Sequence, residues 1–324
     1  MKISRIAASL ILTFVPCAGH ALDLNQVNDA ELSASKITKQ GGIDPTIVKA
    51  QILLDRAGFS PGEIDGKRGD NEGRAIASFA SYNRLGTTNQ LTAVIWQYLT
   101  STSSSPVLTE YTIEDADVRG PFLQRLPAKM EDMKGLKRLD YATPVEGLAE
   151  KFHMSEGLLK ALNPGESFDR SGETIVVANV SNQASKDKVQ RVEVDKKTRQ
   201  LRAYTNNGEL VLVAPVTVGS QEKPAPSGTH TVIGVTQNPT YKYNPAYAFR
   251  GVSATRPFTI NPGPNNPVGI VWIGLSIKGY GIHGTPDPSK VGKTQSHGCI
   301  RLTNWDAKKL AAMTSKGTEV VFLD

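Results

Sequence analysis

The stretch GIHGTPDPSKVGKTQSHGCIRL, residues 281–302, places two histidines within sixteen positions of a cysteine. The histidines are His283 and His297, the cysteine is Cys299, and the 324-residue chain has only one other cysteine, Cys17. A histidine beside a cysteine can take the thiol proton and raise the fraction of reactive thiolate. The stretch therefore predicts that Cys299 is a nucleophile.

The neighbours of Cys299 argue against a packing role. Most free cysteines are buried and behave as small apolar residues. Ser296, Gly298 and Arg301 would be poor walls for an apolar pocket. The small Gly298 gives close access to the thiol, and the backbone N–H groups of Gly298 and Cys299 are candidate donors to an oxyanion.

Metal sites are the alternatives to a catalytic thiol. Imidazole and thiolate are preferred zinc donors, so His283, His297 and Cys299 could bind zinc, although no pair has the usual spacing of a closed zinc site. The acidic loop 65–70 lacks the alternating oxygen ligands of an EF-hand, which disfavours a calcium site there. We predict no metal and no other cofactor.

Residues 1–21 are typical of a secretory signal peptide. Basic residues precede the apolar run IAASLILTFV, and the segment ends in AGHA, with small residues at the spacing for cleavage. Cys17 suggests a lipoprotein signal as an alternative, but Pro16 is unfavourable before a lipidated cysteine. Cleavage would leave Cys299 as the only cysteine. We predict a periplasmic protein with no membrane span, because no later run approaches about 18 apolar residues.

Length and charge restrict the remaining possibilities. The chain is long enough for two or three domains. It has 37 basic and 31 acidic residues, a net charge of +6, without a basic run interleaved with aromatic residues. Nucleic acid is therefore an unfavoured partner, whereas a polyanionic envelope polymer is compatible with the charge.

Residues 43–100 predict a small module of three helices. Asp44 is a suitable N-cap before Pro45 in IDPTIVKAQILLDRAG, and helical spacing recurs in NEGRAIASFASYN and NQLTAVIWQYLT. The serine-rich TSTSSSP that follows predicts a flexible linker. Residues 109–136 carry little pattern.

Residues 136–180 predict a strand-helix-helix-strand module. The pattern places a strand near residues 136–141, a helix with a Thr143 and Glu146 capping box, a second helix, and a final strand. His153 is predicted to be a surface or packing residue.

Residues 188–324 predict a mainly β domain with a closing helix. β-Branched residues alternate on both sides of Asn207-Gly208, a strong hairpin signal. The last helix is capped by Thr303. The predicted fold class of the whole chain is multidomain α+β.

Several motifs together resemble a known family. HGT, its spacing to SHGCIRL, and the upstream KPAPSGTHTV and PGPNNPVGIVWI are similar to the catalytic domain of the YkuD-type L,D-transpeptidases, cysteine enzymes of the bacterial cell wall. AQILLDRAGFSPGEIDGKRGDNEGRAIASF resembles a peptidoglycan-binding module, and residues 136–180 resemble a LysM module. The resemblance implies peptidoglycan stem peptides and glycan as partners.

The resemblance also implies roles for individual residues. The nucleophile falls on Cys299 and the general base on His283, which in the family is oriented through the backbone carbonyl of the following residue, here Gly284. Ser296 and His297 occupy the other polar places of the motif. Arg301 matches an arginine assigned to substrate binding or site support.

The implied reaction is transpeptidation. Cys299 would attack the carbonyl of the third stem residue, usually diaminopimelate, release D-Ala, and pass the acyl group to an amine of a second stem. Water as acceptor would make the protein a carboxypeptidase, and a lipoprotein lysine would make it an anchoring enzyme. A non-catalytic peptidoglycan-binding protein is an alternative of a different class.

The substrate groove has further candidate residues. The insert 239–267 is predicted to cover the acyl-enzyme; its tyrosines are Tyr241, Tyr243 and Tyr247. His230, Asn265 and Asn266 are also candidates, with core or turn roles as the alternative.

Overall fold

The structure, a computed structural model, describes residues 22–33, 42–180, 187–220, 224–247, 252–294 and 298–324. The predicted signal peptide and the motif residues Ser296 and His297 lie outside the described residues. Within those ranges no helix is both long and apolar enough to cross a membrane.

A short helix that the sequence did not predict, α1 (Leu24–Asn28), comes first. The three predicted helices follow as α2 (Pro45–Arg56), α3 (Asp70–Tyr82) and α4 (Ala93–Ser101). Asp44 caps α2, because its side chain accepts the Thr46 N–H at 2.9 Å. The identity of this part as a peptidoglycan-binding module stays a prediction.

The next part contains two strands that enclose four helices. The elements are β1 (Leu108–Thr112), α5 (Asp115–Val118), α6 (Met130–Met133), α7 (Pro144–Lys151), α8 (Glu156–Leu162) and β2 (Thr174–Ala178). β1 and β2 pair antiparallel, with Leu108 opposite Ala178. The core of this unit is continuous with that of the N-terminal helices.

The prediction of a strand near residues 136–141 is wrong. Those residues form no strand, and β1, in a segment without a clear sequence pattern, is the partner of β2. The physical reason is that Leu139 is buried against the C-terminal domain: its N–H donates to the Pro262 carbonyl at 2.9 Å, and its carbonyl accepts the Asn265 N–H at 2.8 Å. The LysM resemblance of the unit stays a prediction.

The capping box predicted for α7 forms only in part. Thr143 Oγ1 accepts the Glu146 N–H at 3.2 Å. The Glu146 carboxylate accepts from the N–H of Ala142, one residue before the N-cap, at 2.5 Å. The helix therefore starts where the sequence predicts. The Glu146 side chain bonds to the residue before the N-cap instead of to the N-cap itself.

The C-terminal domain is mainly β with one α-helix, as predicted. Its elements are β3 (Val189–Asp195), β4 (Gln200–Thr205), β5 (Leu210–Pro215), β6 (Gly228–Gln237), β7 (Tyr241–Tyr243), β8 (Phe258–Ile260), β9 (Val271–Leu275), β10 (Gly281–His283), β11 (Ile300–Arg301), α9 (Asn304–Met313) and β12 (Glu319–Leu323), with short 3₁₀ turns at Pro245–Tyr247 and Pro288–Lys290. The main sheet has the order β11-β10-β9-β6-β12-β3-β4-β5. β10–β11 and β12–β3 are parallel pairs and the others are antiparallel.

Local signals in this domain predict its structure well. The Asn207-Gly208 hairpin joins β4 to β5, and Gly208 has a φ of +78°, which glycine adopts without strain. Thr303 caps α9 by accepting the Asp306 N–H at 3.1 Å. The buried side of α9 packs against the sheet.

The serine-rich segment is not a free linker, so that prediction is wrong. The Arg56 guanidinium donates to Ser103 Oγ at 3.2 Å and to the Ser105 carbonyl at 3.0 Å. The N-terminal helices also contact the sheet directly, since Phe59 forms a parallel bridge with Val213. The N-terminal parts therefore pack on the β domain.

A buried charged cluster lies where the three parts meet. Asp55 of α2 contacts His153 Nδ1 at 3.1 Å and Lys309 Nζ at 3.2 Å. The His153 ring stacks on Trp305, with centroids 5.2 Å apart. His153 is thus a packing residue, one of the two roles predicted for it. Burial alone would raise the pKa of Asp55, but the His153 and Lys309 partners hold it well below its usual range.

Candidate active site

Two parallel strands bring the candidate catalytic residues together. His283 ends β10 and pairs with Arg301 of β11, and Cys299 directly precedes β11. The Gly281 N–H of β10 bonds to Cys299, so Cys299 lies beside the same strand that carries His283.

His283 is buried and oriented by its own backbone. Its Nδ1 lies 2.6 Å from the carbonyl oxygen of Gly284, and only 3% of the residue is exposed. A carbonyl oxygen can only accept, so Nδ1 carries the proton and Nε2 of the neutral ring is the acceptor. The Trp272 ring stacks on His283 at 5.5 Å, which further restricts the imidazole.

Cys299 is half-buried at the start of β11. Its Sγ lies 3.8 Å from the Gly279 carbonyl oxygen, which accepts a weak S–H hydrogen bond. Burial raises the pKa of the Cys299 thiol and is the largest effect. The Gly281 N–H bond to the sulfur and the charge of Arg301 act in the opposite direction.

The two reacting groups are therefore neutral in the resting protein. Burial, and after it the charge of Arg301, lower the pKa of His283 to about 3, although the Gly284 bond acts in the opposite direction. With the Cys299 pKa raised, the sequence expectation of an enlarged thiolate fraction does not apply before substrate binds. The arrangement is that of a protonated thiol beside a neutral base.

Two glycines are required by the geometry of this region. Gly298 has a φ of +103°, and a Cβ there would lie 3.0 Å from the Tyr280 ring. A Cβ on Gly284 would lie 2.2 Å from Asn304 Oδ1. Larger residues at either position would displace the backbone next to Cys299 or the carbonyl that orients His283.

Asn304 and Glu150 are supporting residues that the sequence analysis missed. Asn304 Nδ2 donates to both carboxylate oxygens of Glu150, at 3.0 and 3.1 Å, and its Oδ1 accepts the Ile270 N–H at 3.3 Å. Burial raises the pKa of Glu150 to about 8. A helix of the N-terminal half thus supports the backbone against which Gly284 packs, and no local sequence signal links positions so far apart.

Three of the residues that the sequence analysis suggested for the substrate groove make contacts within the protein. Asn266 is buried and its side chain bonds to the carbonyls of Ile260 and Asn261, which is a turn role. Tyr243 is buried against Phe258. His230 Nε2 bonds to the Ser227 carbonyl at 3.1 Å.

Metal binding is the alternative role of the same residues. Across the described ranges, no group of three or more His, Cys, Asp or Glu side chains could hold a metal ion. The zinc alternative needs His297, which lies outside those ranges, so it stays untested.

Comparisons with known proteins point to one family. The family model of the L,D-transpeptidase catalytic domain, YkuD, matches residues 189–322. A protein of Bacillus licheniformis named as the L,D-transpeptidase YkuD is 30% identical over 179 residues, covering 54% of this chain and 91% of that protein. A protein of Escherichia coli K12 named as the L,D-transpeptidase YbiS is 31% identical, and the match covers 56% of this chain and 60% of that protein.

The chain therefore belongs to the YkuD family of L,D-transpeptidases. Among solved structures, an L,D-transpeptidase from Mycobacterium smegmatis is similar over 47% of this chain and 64% of that one, at 19% identity and a TM-score of 0.34.

Proposed function

We propose that this protein is a cysteine acyltransferase that forms a thioester at Cys299 and uses His283 to accept and return the proton. The observation that carries the proposal is the 2.6 Å contact between His283 Nδ1 and the Gly284 carbonyl. It leaves Nε2 as a proton acceptor on the strand that pairs with β11, which Cys299 directly precedes. Family membership supports the same assignment.

The reaction would proceed in two steps, acylation of Cys299 and transfer of the acyl group to an amine. The Cys299 proton passes to His283 Nε2 as the sulfur attacks the acyl carbon, and collapse of the oxyanion breaks the C–N bond to D-Ala, whose nitrogen takes the proton. An acceptor amine then attacks the thioester, His283 accepts its proton, and the departing sulfur is protonated again. Backbone N–H groups at Gly298 and Cys299 would stabilise the oxyanion; one such donor typically contributes about 3 kcal/mol.

The proposed donor is a peptidoglycan tetrapeptide stem in the periplasm, attacked at its third residue. The proposed acceptor is an amine of a second stem, giving a cross-link between two third residues. A thioester must be shielded from water for this transfer to compete with hydrolysis. The proposed cover is the insert 239–267, in which β7 and β8 pair as a two-stranded sheet.

Because the N-terminal parts pack on the β domain, they cannot supply an acceptor stem through a flexible linker. A flexible linker would have raised the local concentration of stems, but the contacts of residues 101–106 do not support a flexible linker. Binding of glycan by the N-terminal parts is still proposed, with the polymer held in a fixed orientation relative to the β domain.

The test is mass spectrometry of disaccharide tetrapeptides incubated with the full mature chain and with Cys299→Ala. We expect dimers joined between third residues as the main product and tripeptide as the minor one, with no product from folded Cys299→Ala. Tripeptide alone would favour the carboxypeptidase, and product only with an added lipoprotein C-terminus would favour the anchoring enzyme. Equal product from Cys299→Ala would refute the thioester, and no product under any condition would favour the non-catalytic binding protein.

A further inference from the structure

A buried carboxyl group from the N-terminal half of the chain reaches the C-terminal domain. Glu150 lies on α7, outside residues 189–322 that match the family model. Its side chain bonds to Asn304, the first residue of α9. The contact therefore joins the two halves of the chain, and none of the proposed catalytic steps uses it.

Glu150 is a buried acid without a cationic partner. Among the described residues, no basic side chain pairs with it. Burial raises its pKa to about 8, so the neutral carboxylic acid predominates at neutral pH. Its Oε2 lies 3.2 Å from the Tyr141 hydroxyl, and both carboxyl oxygens face the Asn304 amide. Because buried polar groups are hydrogen-bonded, Glu150 and Asn304 restrict each other.

The Asn304 amide is bonded at both its nitrogen and its oxygen. Nδ2 donates to the Glu150 carboxyl group at 3.0 and 3.1 Å and to the Pro264 carbonyl at 3.2 Å. Oδ1 accepts the Ile270 N–H at 3.3 Å. Only this orientation of the amide matches a donor to each acceptor. Without Glu150, one N–H of a buried amide would lose its acceptor, so the amide would turn or shift to find another.

The Asn304 amide oxygen also packs against the backbone of Gly284. A Cβ on Gly284 would lie 2.2 Å from Asn304 Oδ1. A Cβ on Gly269 would lie 2.1 Å from the same oxygen and 2.7 Å from the Gly284 carbonyl carbon. The amide and the two glycines therefore leave no free space between them. A turn of the amide would displace the peptide group that follows Gly284.

The Gly284 carbonyl is the group that orients His283. It accepts the Nδ1–H at 2.6 Å, and this bond decides which ring nitrogen carries the proton. If the carbonyl moved away, Nε2 would compete for the proton and the ring would lose its acceptor for the thiol. A displacement of about 1 Å can cost about 10²-fold in rate. Glu150 is thus linked to the proton acceptor through two intermediate groups.

We propose that Glu150 is a positioning residue that acts through Asn304. Together they fix the Gly284 carbonyl, and this carbonyl keeps the proton of His283 on Nδ1. The inference rests on the proposed function for the role of His283 as the base. The position of the ring proton, however, is a property of the protein without substrate. The N-terminal half of the chain then contributes to catalysis as well as to the proposed binding of glycan.

The experiment observes the ring proton of His283 by NMR, in the full mature chain labelled with nitrogen-15 at histidine. The signals are assigned by their loss in His283→Ala. We expect one tautomer in the wild-type protein, protonated on Nδ1 and shifted downfield by the short bond. Glu150→Met fills the same space without an acceptor, and should give mixed tautomers or an upfield shift. Glu150→Gln resembles the neutral acid and should restore the wild-type signal.

Turnover of disaccharide tetrapeptides separates positioning from stability. Glu150→Met should lower kcat by about 10- to 100-fold, as loss of an orienting partner typically does. KM should stay close to its wild-type value, because no group that binds substrate is removed. Glu150→Gln should recover most of kcat.

Ser60→Ala is the matched control. Ser60 Oγ also donates from the N-terminal half to α9, but it reaches Asp306 Oδ2, at 2.8 Å, and not Asn304. Loss of this buried bond should lower the urea midpoint of unfolding. It should change neither the His283 signal nor kcat.

Three results would overturn the inference. They are an unchanged His283 signal in folded Glu150→Met, an equal change in Glu150→Met and Glu150→Gln, or a change of the same size in Ser60→Ala. If Glu150→Met does not fold, Glu150→Asp takes its place, since it withdraws the acid from Asn304 by one C–C bond, about 1.5 Å. Failure of the proposed function is a separate result. If wild-type protein forms no Cys299-dependent product, the catalytic proposal fails, whereas the His283 signal still decides whether Glu150 positions the ring.

Discussion

Acylation of Cys299 should be independent of pH over the range in which an ordinary histidine titrates. His283 must be neutral to accept the thiol proton, and its pKa is lowered from 6.5 to about 3. The raised pKa of Cys299 keeps the thiol protonated on the alkaline side. The reactive pair of neutral groups is therefore fully populated between these two limits.

The size of the effect follows from the pKa shift. At about pH 5, a histidine of ordinary pKa would be neutral in about 3% of molecules, and acylation would fall about 30-fold from its plateau. With a pKa of about 3, close to 99% of His283 is neutral at that pH. The expected loss at pH 5 is thus negligible instead of 30-fold.

The assay uses a carbapenem, a β-lactam whose ring carbonyl we expect to acylate Cys299. The second-order rate of adduct formation is followed by intact mass from about pH 4.5 to about pH 8.5 at constant ionic strength. Tryptophan fluorescence at each pH confirms that the protein stays folded. Arg301→Gln is the informative variant, because it removes the second cause of the low His283 pKa and should move the acidic limb to higher pH.

Two results would refute this reasoning. One is an acidic limb with a midpoint near 6.5 in the wild-type protein, which would mean that His283 is not desolvated. The other is a rate that rises about tenfold per pH unit across the neutral range, which would indicate reaction through a minor thiolate population.

Two further predictions concern the base and the buried cluster. His283→Ala should slow acylation by about 10² to 10⁴, far more than His297→Ala, and the reverse ranking in the same adduct assay would reassign the base. Asp55→Asn should lower the free energy of unfolding at pH 7 by about 3–5 kcal/mol, because it breaks a buried pair and leaves His153 and Lys309 without their anion; an unchanged urea midpoint would contradict this. The folded pKa of Asp55 lies below the unfolded value of about 3.8, so its stabilisation is complete above that value and is lost as pH falls towards the folded pKa.

The sequence alone determined the elements that depend on a few neighbouring residues. Asp44 and Thr303 act as the predicted N-caps, and Asn207-Gly208 forms the predicted hairpin. Each of these signals depends on bonds within about four positions, so no knowledge of the rest of the chain was needed. The motifs around His283 and Cys299, together with those upstream, likewise indicated the family.

Tertiary structure decided the pairings between distant segments. β2 finds its partner more than sixty residues upstream in a segment without a clear pattern, while Leu139, which looked like part of a strand, bonds to the β domain. Strand pairing depends on which surfaces meet, and burial of one face can override a local pattern. The same is true of Met130, which lines a cavity together with Arg301 only because Glu131 of α6 bonds to Ser253 and Ala254.

The electrostatic state of the site was also a property of the fold. The sequence indicated a histidine that activates a thiol, but not that burial would make both groups neutral at rest. Desolvation depends on the surrounding atoms in three dimensions, including Trp272 and Arg301, which the linear spacing does not report. The identity of the reacting residues was therefore local information, whereas their protonation came from packing.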